Sequence, residues 1–226
     1  MAITTYSELK TAVANWLDRD DLTTRIPEFI ALAEARIFNE EGLNLRSMEL
    51  RMTADTVAGT QYYGLPERFK AMRFVNLISE SPVVELQYMP PERFHDFKAY
   101  KDGTQDVPEA FTIIGDELKL GPIPAAVYTM EMMLYQTFPA LSDSQTTNAL
   151  LTAHPDIYLY AAMLEAGVYL RDPEMKNDFI EYYNSAVRRM IDQDKADRYP
   201  TGSGSIRTEI SDILTSSRNY WWDFQR

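Results

Sequence analysis

Two histidines, one serine set between glycines and several runs of adjacent acids are the residues of this chain whose types and spacing could do chemistry. A mononuclear metal site would need His95 and His154 in one place together with a carboxylate. Glu92 and His95 form one Glu-x-x-His pair, but a carboxylate-bridged dimetal bundle needs a second pair on facing helices, and His154 has Leu151 three residues before it. Both histidines therefore read as structural. Ser203 lies in Gly202-Ser203-Gly204, which lacks the Gly-x-Ser-x-Gly spacing and preceding strand of a nucleophile elbow. There is no Gly-x-x-x-x-Gly-Lys loop and no Gly-x-Gly-x-x-Gly turn to cradle phosphate. Asp18 with Asp20 and Asp21, Glu40 with Glu41, and Asp192 with Asp194 have the chemistry for acid and base roles. With 34 acids in the chain, such adjacency is expected by chance on solvated helix ends. The sequence assigns no catalytic residue, no metal ligand and no cofactor.

Composition narrows the field further. The chain has 226 residues, 45% of them hydrophobic and 25% charged, enough to bury a core in one or two domains. A formal charge of −12 repels a nucleic-acid backbone, so tight sequence-blind DNA binding is not expected. Without cysteine there is no disulfide framework, thiolate metal site or cysteine nucleophile. Residues 1–16 lack the basic start and continuous apolar stretch of a signal peptide. No apolar run approaches the roughly 18 residues of a membrane helix, so no membrane partner is expected.

The elements that would position these residues follow from hydrophobic period. Thr5 with Glu8 reads as a capping box, and Leu9, Val13, Trp16 and Leu17 give one amphipathic helix. Thr24 is the expected cap of a second, with Pro27 in its first turn, an apolar stripe from Ile26 to Phe38, and Gly42 as its stop. From residue 45 to 138 the period shortens to that of strands, including Met48 to Met52, Met72 to Ile78, Val83 to Tyr88 and Val127 to Tyr135. Gly115-Asp116 predicts a hairpin, and Gly121, Pro122 and Pro124 predict that it ends at an exposed edge. A short helix over 91–100 presents Phe94 and Phe97. Helical spacing returns at Pro155 to Leu170, breaks at Asp172-Pro173, and resumes to about Asp197 through Phe179, Tyr182, Tyr183, Val187 and Met190. The aromatic stripes of these helices read as core packing.

The expected fold class is thus α+β: an antiparallel helical bundle formed by both chain ends, with an inserted β-rich, sandwich- or barrel-like domain and an extended C-terminal arm. Residues 1–44 and 142–198 form the helical part, 45–141 the insertion, and 199–226 a hinge and arm. The arm opens with Pro-Thr-Gly-Ser-Gly-Ser over 200–205 and places Ile206, Ile210, Ile213 and Leu214 at helical spacing before Tyr220, Trp221, Trp222 and Phe224. So many aromatics near a terminus either fold back on the body or dock on another chain.

Layout and local phrases together resemble the head-to-tail adaptor, or connector, proteins of short-tailed bacteriophages, also called tail tubular proteins. The phrases are Tyr6-Ser7-Glu8-Leu9, the run Ile26 to Ile37, Tyr63-Gly64-Leu65-Pro66, Pro108 to Phe111 leading to Ile114 through Pro124, and His154-Pro155-Asp156-Ile157-Tyr158. They cover most of residues 1–197. The resemblance implies a non-catalytic virion protein at the head–tail junction, made in the host cytoplasm and assembled as a homo-oligomeric ring of about twelve copies. Its implied partners are the portal ring, the nozzle or tail tube, and the tail fibres. DNA would pass through its channel without specific binding, for which an acidic lining is suited. The arm residues Ile206, Ile210, Ile213, Leu214, Tyr220, Trp221, Trp222 and Phe224 would then bind the portal, and Met130, Met132 and Met133 would offer adaptable contact area. Two alternatives stand beside this reading: a tail-associated hydrolase using paired carboxylates, and another tail structural module that never meets a portal.

Overall fold

The computed structural model describes residues 3–40, 43–100 and 104–198. The chain is α+β. Helix α1, Tyr6–Leu17, begins at a capping box in which Thr5 Oγ1 accepts from the Glu8 amide at 3.3 Å and Glu8 Oε2 accepts from the amides of Thr4 and Thr5. Those bonds to the charged form hold the Glu8 carboxyl down at about 2. Helix α2, Ile26–Phe38, starts differently from the expectation. Arg25, not Thr24, stands at its cap with a near-helical backbone (φ −94°, ψ −16°), so the extended geometry a side-chain cap needs is absent and no such bond forms. Instead Pro27, which has no amide to satisfy, sits in the first turn, and Arg25 pairs with Glu28 at 2.8 Å. The helix ends at Phe38; Gly42 lies outside the described residues.

The middle of the chain gives β1 (Glu49–Asp55), β2 (Tyr62–Gly64), β3 (Phe69–Leu77), β4 (Val84–Glu85), β5 (Gln87–Tyr88), β6 (Gln105–Asp106), β7 (Ala110–Ile114), β8 (Glu117–Gly121), β9 (Ile123–Pro124) and β10 (Thr129–Gln136), with helix α3 at Pro91–Tyr100. One sheet has the order β1-β10-β3-β4, a second β2-β8-β7-β5, and β6 pairs with β9 alone. Glu49 lies opposite Tyr135 at one end of the β1/β10 ladder and Asp55 opposite Thr129 at the other. The hairpin at Gly115 is present, with that glycine at φ +60°, where a side chain would be strained. Val75, Leu77, Phe111, Leu118, Leu120, Met130 and Met132, drawn from both sheets, form one hydrophobic cluster.

Three expectations for this region need correction. The run from Val83 to Tyr88 is not one strand: Val84 and Glu85 pair with β3, whereas Gln87 and Tyr88 pair in parallel with β7 in the other sheet. The chain changes sheets at buried Leu86, and two short pairings in succession mimic a single strand. Gly121, Pro122 and Pro124 are buried: Gly121 is paired with β7, and β9 with β6 in parallel, so the hairpin does not end at an exposed edge. Met130 and Met132 point into the sheet cluster, so the alternation of β10 removes them from any contact surface; Met133 is half-buried.

After the sheets come α4 (Ala149–Ala153), α5 (Pro155–Leu170) and α6 (Pro173–Asp197). The break at Asp172-Pro173 is real, with the Asp172 carboxylate accepting from the amides of Glu174 and Met175 at 3.0 Å. Helix α5 touches α1, α2, α4 and α6 and is buried around almost its whole circumference. The second hydrophobic cluster gathers on it, from Leu9 and Val13 of α1 through Ile30 and Ile37 of α2 to Tyr183 and Val187 of α6. Strand β10 joins the two cores, giving Met130 and Met132 to one and Tyr135 to the other. Among the described residues no helix is long and apolar enough to cross a membrane.

Candidate functional site

The residues with chemical potential do not converge. Glu92 and His95 are exposed on α3, which packs on β7, whereas His154 stands between α4 and α5. His154 lines a cavity of 250 Å³ with Arg46, Gln193, Asp194 and Asp197. Among the described residues no group of three His, Cys, Asp or Glu side chains is arranged to hold a metal ion. The acid pairs are occupied in local structure. Asp21 pairs with Arg19 at 2.7 Å, Glu40 accepts from the Tyr183 hydroxyl at 3.2 Å, and Asp192 lies 3.9 Å from Lys195. Asp18 closes α1 in the left-handed conformation at φ 49°. Ser203 and Glu41 lie outside the described residues.

Among the described residues one carboxylate is buried, and the apolar stripe of α2 concealed it. Glu34 is 5% exposed, and its Oε1 accepts from the Leu141 amide at 2.9 Å and from the Tyr158 hydroxyl at 3.4 Å. Burial raises its pKa against the pull of those two donors. Asn148 completes the cluster, its Nδ2 donating to Tyr158 Oη at 2.7 Å and to the Pro139 carbonyl while Oδ1 caps α4 through the Leu151 amide. The group therefore bolts the connection from β10 to α4 onto α2 and α5. A substrate cannot reach it. The signal in the sequence was an acid three residues before Ile37 and four after Ile30, on the face that should be apolar.

A second polar cluster fixes where α6 ends. Arg198 Nε donates to Asp194 Oδ2 at 2.7 Å, its guanidinium reaches the Tyr135 hydroxyl and the Asn44 carbonyl, and it lies 3.8 Å from Glu49. Asp194 also accepts from the Arg46 amide at 2.7 Å, and Glu49 pairs with Arg73 at 2.6 Å. Arg198 thus stands beside the first residue of β1. All eight arm residues singled out above, Ile206, Ile210, Ile213, Leu214, Tyr220, Trp221, Trp222 and Phe224, lie outside the described residues.

The surface departs from ordinary expectation on the helices. Trp16 and Tyr182 were read as core, yet they are 53% and 57% exposed. Their rings meet half-buried Tyr160 and Phe179: Trp16 is 6.2 Å from Tyr160 and 6.1 Å from Phe179, and Tyr182 is 5.7 Å from Tyr160. The helical period is right, but α1 and α6 leave the outer edge of each stripe uncovered where they flank α5. Four contiguous rings, two of them open to water, are the composition of an association surface more than of a reaction centre.

A search of curated proteins returned no match. Residues 4–208 match the family model of the SU10 adaptor protein, a span that takes in both hydrophobic clusters. The resemblance drawn from the phrases around Glu8, Pro27, Gly64 and Pro155 thus has an independent counterpart over most of the chain, and the protein belongs to the SU10 adaptor family of phage structural proteins.

Proposed function

We propose that this protein is a non-catalytic head-to-tail adaptor of a short-tailed phage virion, assembling as a ring of about twelve copies between the portal and the tail. The observation that carries the reading is the family match over residues 4–208. Scattered acids engaged in ion pairs and caps, and aromatic rings left open on the helices, agree with it. The helical part and the sheet part present different surfaces, suited to the portal on one side and to nozzle and fibres on the other. A net charge of −12 keeps the channel from gripping the DNA it conducts. The arm over 199–226 docks on the portal, with Trp221 and Trp222 as anchors.

The test is particle mass and shape by light scattering and negative-stain imaging, for the purified protein alone and mixed with the portal ring of the same virion. A second ring stacked on the portal is expected, and a chain lacking residues 205–226 is expected to stay folded and lose that binding. A protein that stays monomeric with portal present overturns the portal reading.

A further inference from the structure

We infer that neighbouring copies join through two unlike faces of the helical region, the Trp16–Tyr182 face of one copy seating on the Leu32–Tyr169 face of the next. The inference rests on the ring reading above and names its contact. Besides the aromatic face already described, the helices expose a second apolar patch: Leu32 of α2 is 55% exposed and Tyr169 of α5 is 52% exposed, its ring 5.4 Å from that of buried Phe29.

The two patches look in opposite directions. Tyr160, at the base of the first, and Tyr169, in the second, are nine residues apart on α5. At about 100° per residue this separation is two and a half turns, so the side chains leave opposite sides of the helix, displaced about 13 Å along it. A two-fold dimer needs one self-complementary patch, whereas unlike patches on opposite sides propagate head to tail and close into a ring when the rotation allows.

Charge agrees with that pairing. Asp178 and Glu181, beside Phe179 and Tyr182, are exposed and have no ion-pair partner among the described residues. The second patch is flanked by Arg25 and Arg36, which hold Glu28 and Glu165, and by Arg171, which has no such partner among the described residues. Lys176, three residues before Phe179, lines the cavity beside Val168, Arg171 and Asp172. One rim thus carries two acids without an ion-pair partner and the other an arginine without one, which orients the encounter and disfavours like-on-like contact.

The chain has no cysteine, which makes the test clean. The full-length double variant Tyr182→Cys with Leu32→Cys is assembled on the portal ring and treated with a short bis-maleimide. A covalent ladder extending beyond the dimer is expected, while either single variant stays monomeric. Glu181→Arg and Arg171→Glu should each weaken assembly and, combined in one chain, restore it. If wild-type rings form on the portal and the double variant gives no ladder, the contact assigned here is wrong and the ring reading survives. If wild-type protein forms no ring with or without portal, the ring reading fails and this contact falls with it.

Discussion

Around α5 apolar surface is buried on nearly every side of one helix, whereas between the sheets burial follows the alternation of strands, as over residues 129–134 of β10. The consequence shows at the surface. Helices α1, α2 and α6 each use one face on α5 and carry Trp16, Leu32 and Tyr182 on their flanks, open to water. In the sheets Met130, Met132 and Phe111 turn inward, while outward positions pair as ions, Arg51 with Glu131 and Arg73 with Glu49. A central helix enclosed over most of its length leaves its neighbours with apolar edges that another molecule can cover. The sheet pair sets ion pairs on its outward positions beside exposed apolar side chains such as Tyr62, Tyr88 and Ile114, which stand singly at strands and strand ends.

The largest expected effects test whether these two cores are separate. Leu9→Ala in the helical cluster and Leu120→Ala in the sheet cluster, both fully buried, should each cost about 2–5 kcal/mol through lost transfer energy and residual cavity. Both should lower the midpoint of a single denaturant transition, because β10 contributes to both clusters and Arg198 ties α6 to Glu49 and Tyr135. Two transitions, each moved by only one of the substitutions, would show the cores to be independent.

The same contrast explains how much of the fold could be read in advance. Helices declare themselves through contacts three and four residues apart, and so the Thr5–Glu8 box, the Asp172-Pro173 break and the end near Asp197 were legible. The hairpin at Gly115 was equally local. Strand partners are set at long range, which is why the exchange of sheets at Leu86 and the cover over Pro122 and Pro124 were not visible in the order of residues. Period alone also cannot tell an aromatic in the middle of a buried stripe from one at its edge, so Tyr183 and Tyr182 read alike although one is buried and the other open. The Glu34 cluster was not readable in type and spacing, since its partners Leu141, Asn148 and Tyr158 lie more than 100 residues away.

A middle-sized effect sharpens what holds the helical side in place. Tyr158→Phe removes only a hydroxyl, yet that oxygen receives a bond from Asn148 and gives one to Glu34 in a site closed to water. Leaving those groups short of partners should cost about 1–3 kcal/mol, read as a lower denaturation midpoint with an unchanged slope. A loss no larger than that of an exposed tyrosine would mean that water replaces the hydroxyl and that the bolt between α2, α5 and the β10–α4 connection carries little.

The smallest effect is a slope with pH, and its sign sets the helical core apart from the charge-braced sheets. Burial raises the Glu34 pKa above its ordinary 4.5. Below 4.5 the carboxyl is protonated in both folded and unfolded chains, so it adds no pH dependence. As pH rises past 4.5 the unfolded chain releases its proton first while the folded chain still holds one, and stability falls until the raised folded value is passed. Above that value the cost of a buried charge is complete and constant. Glu34→Gln keeps an acceptor for Leu141 and Tyr158 and cannot ionise. The stability of wild type relative to this variant, measured by denaturant unfolding from pH 4 to 8, should therefore decline with pH and then level off. Glu8 works in the opposite sense, since its folded pKa is held low and its contribution is lost on the acid side. Subtracting the variant removes that background, because Glu8 is common to both proteins. A difference that rises with pH would mean that the donors from Leu141 and Tyr158 outweigh desolvation and that the helical core, like the sheets, gains from its charge.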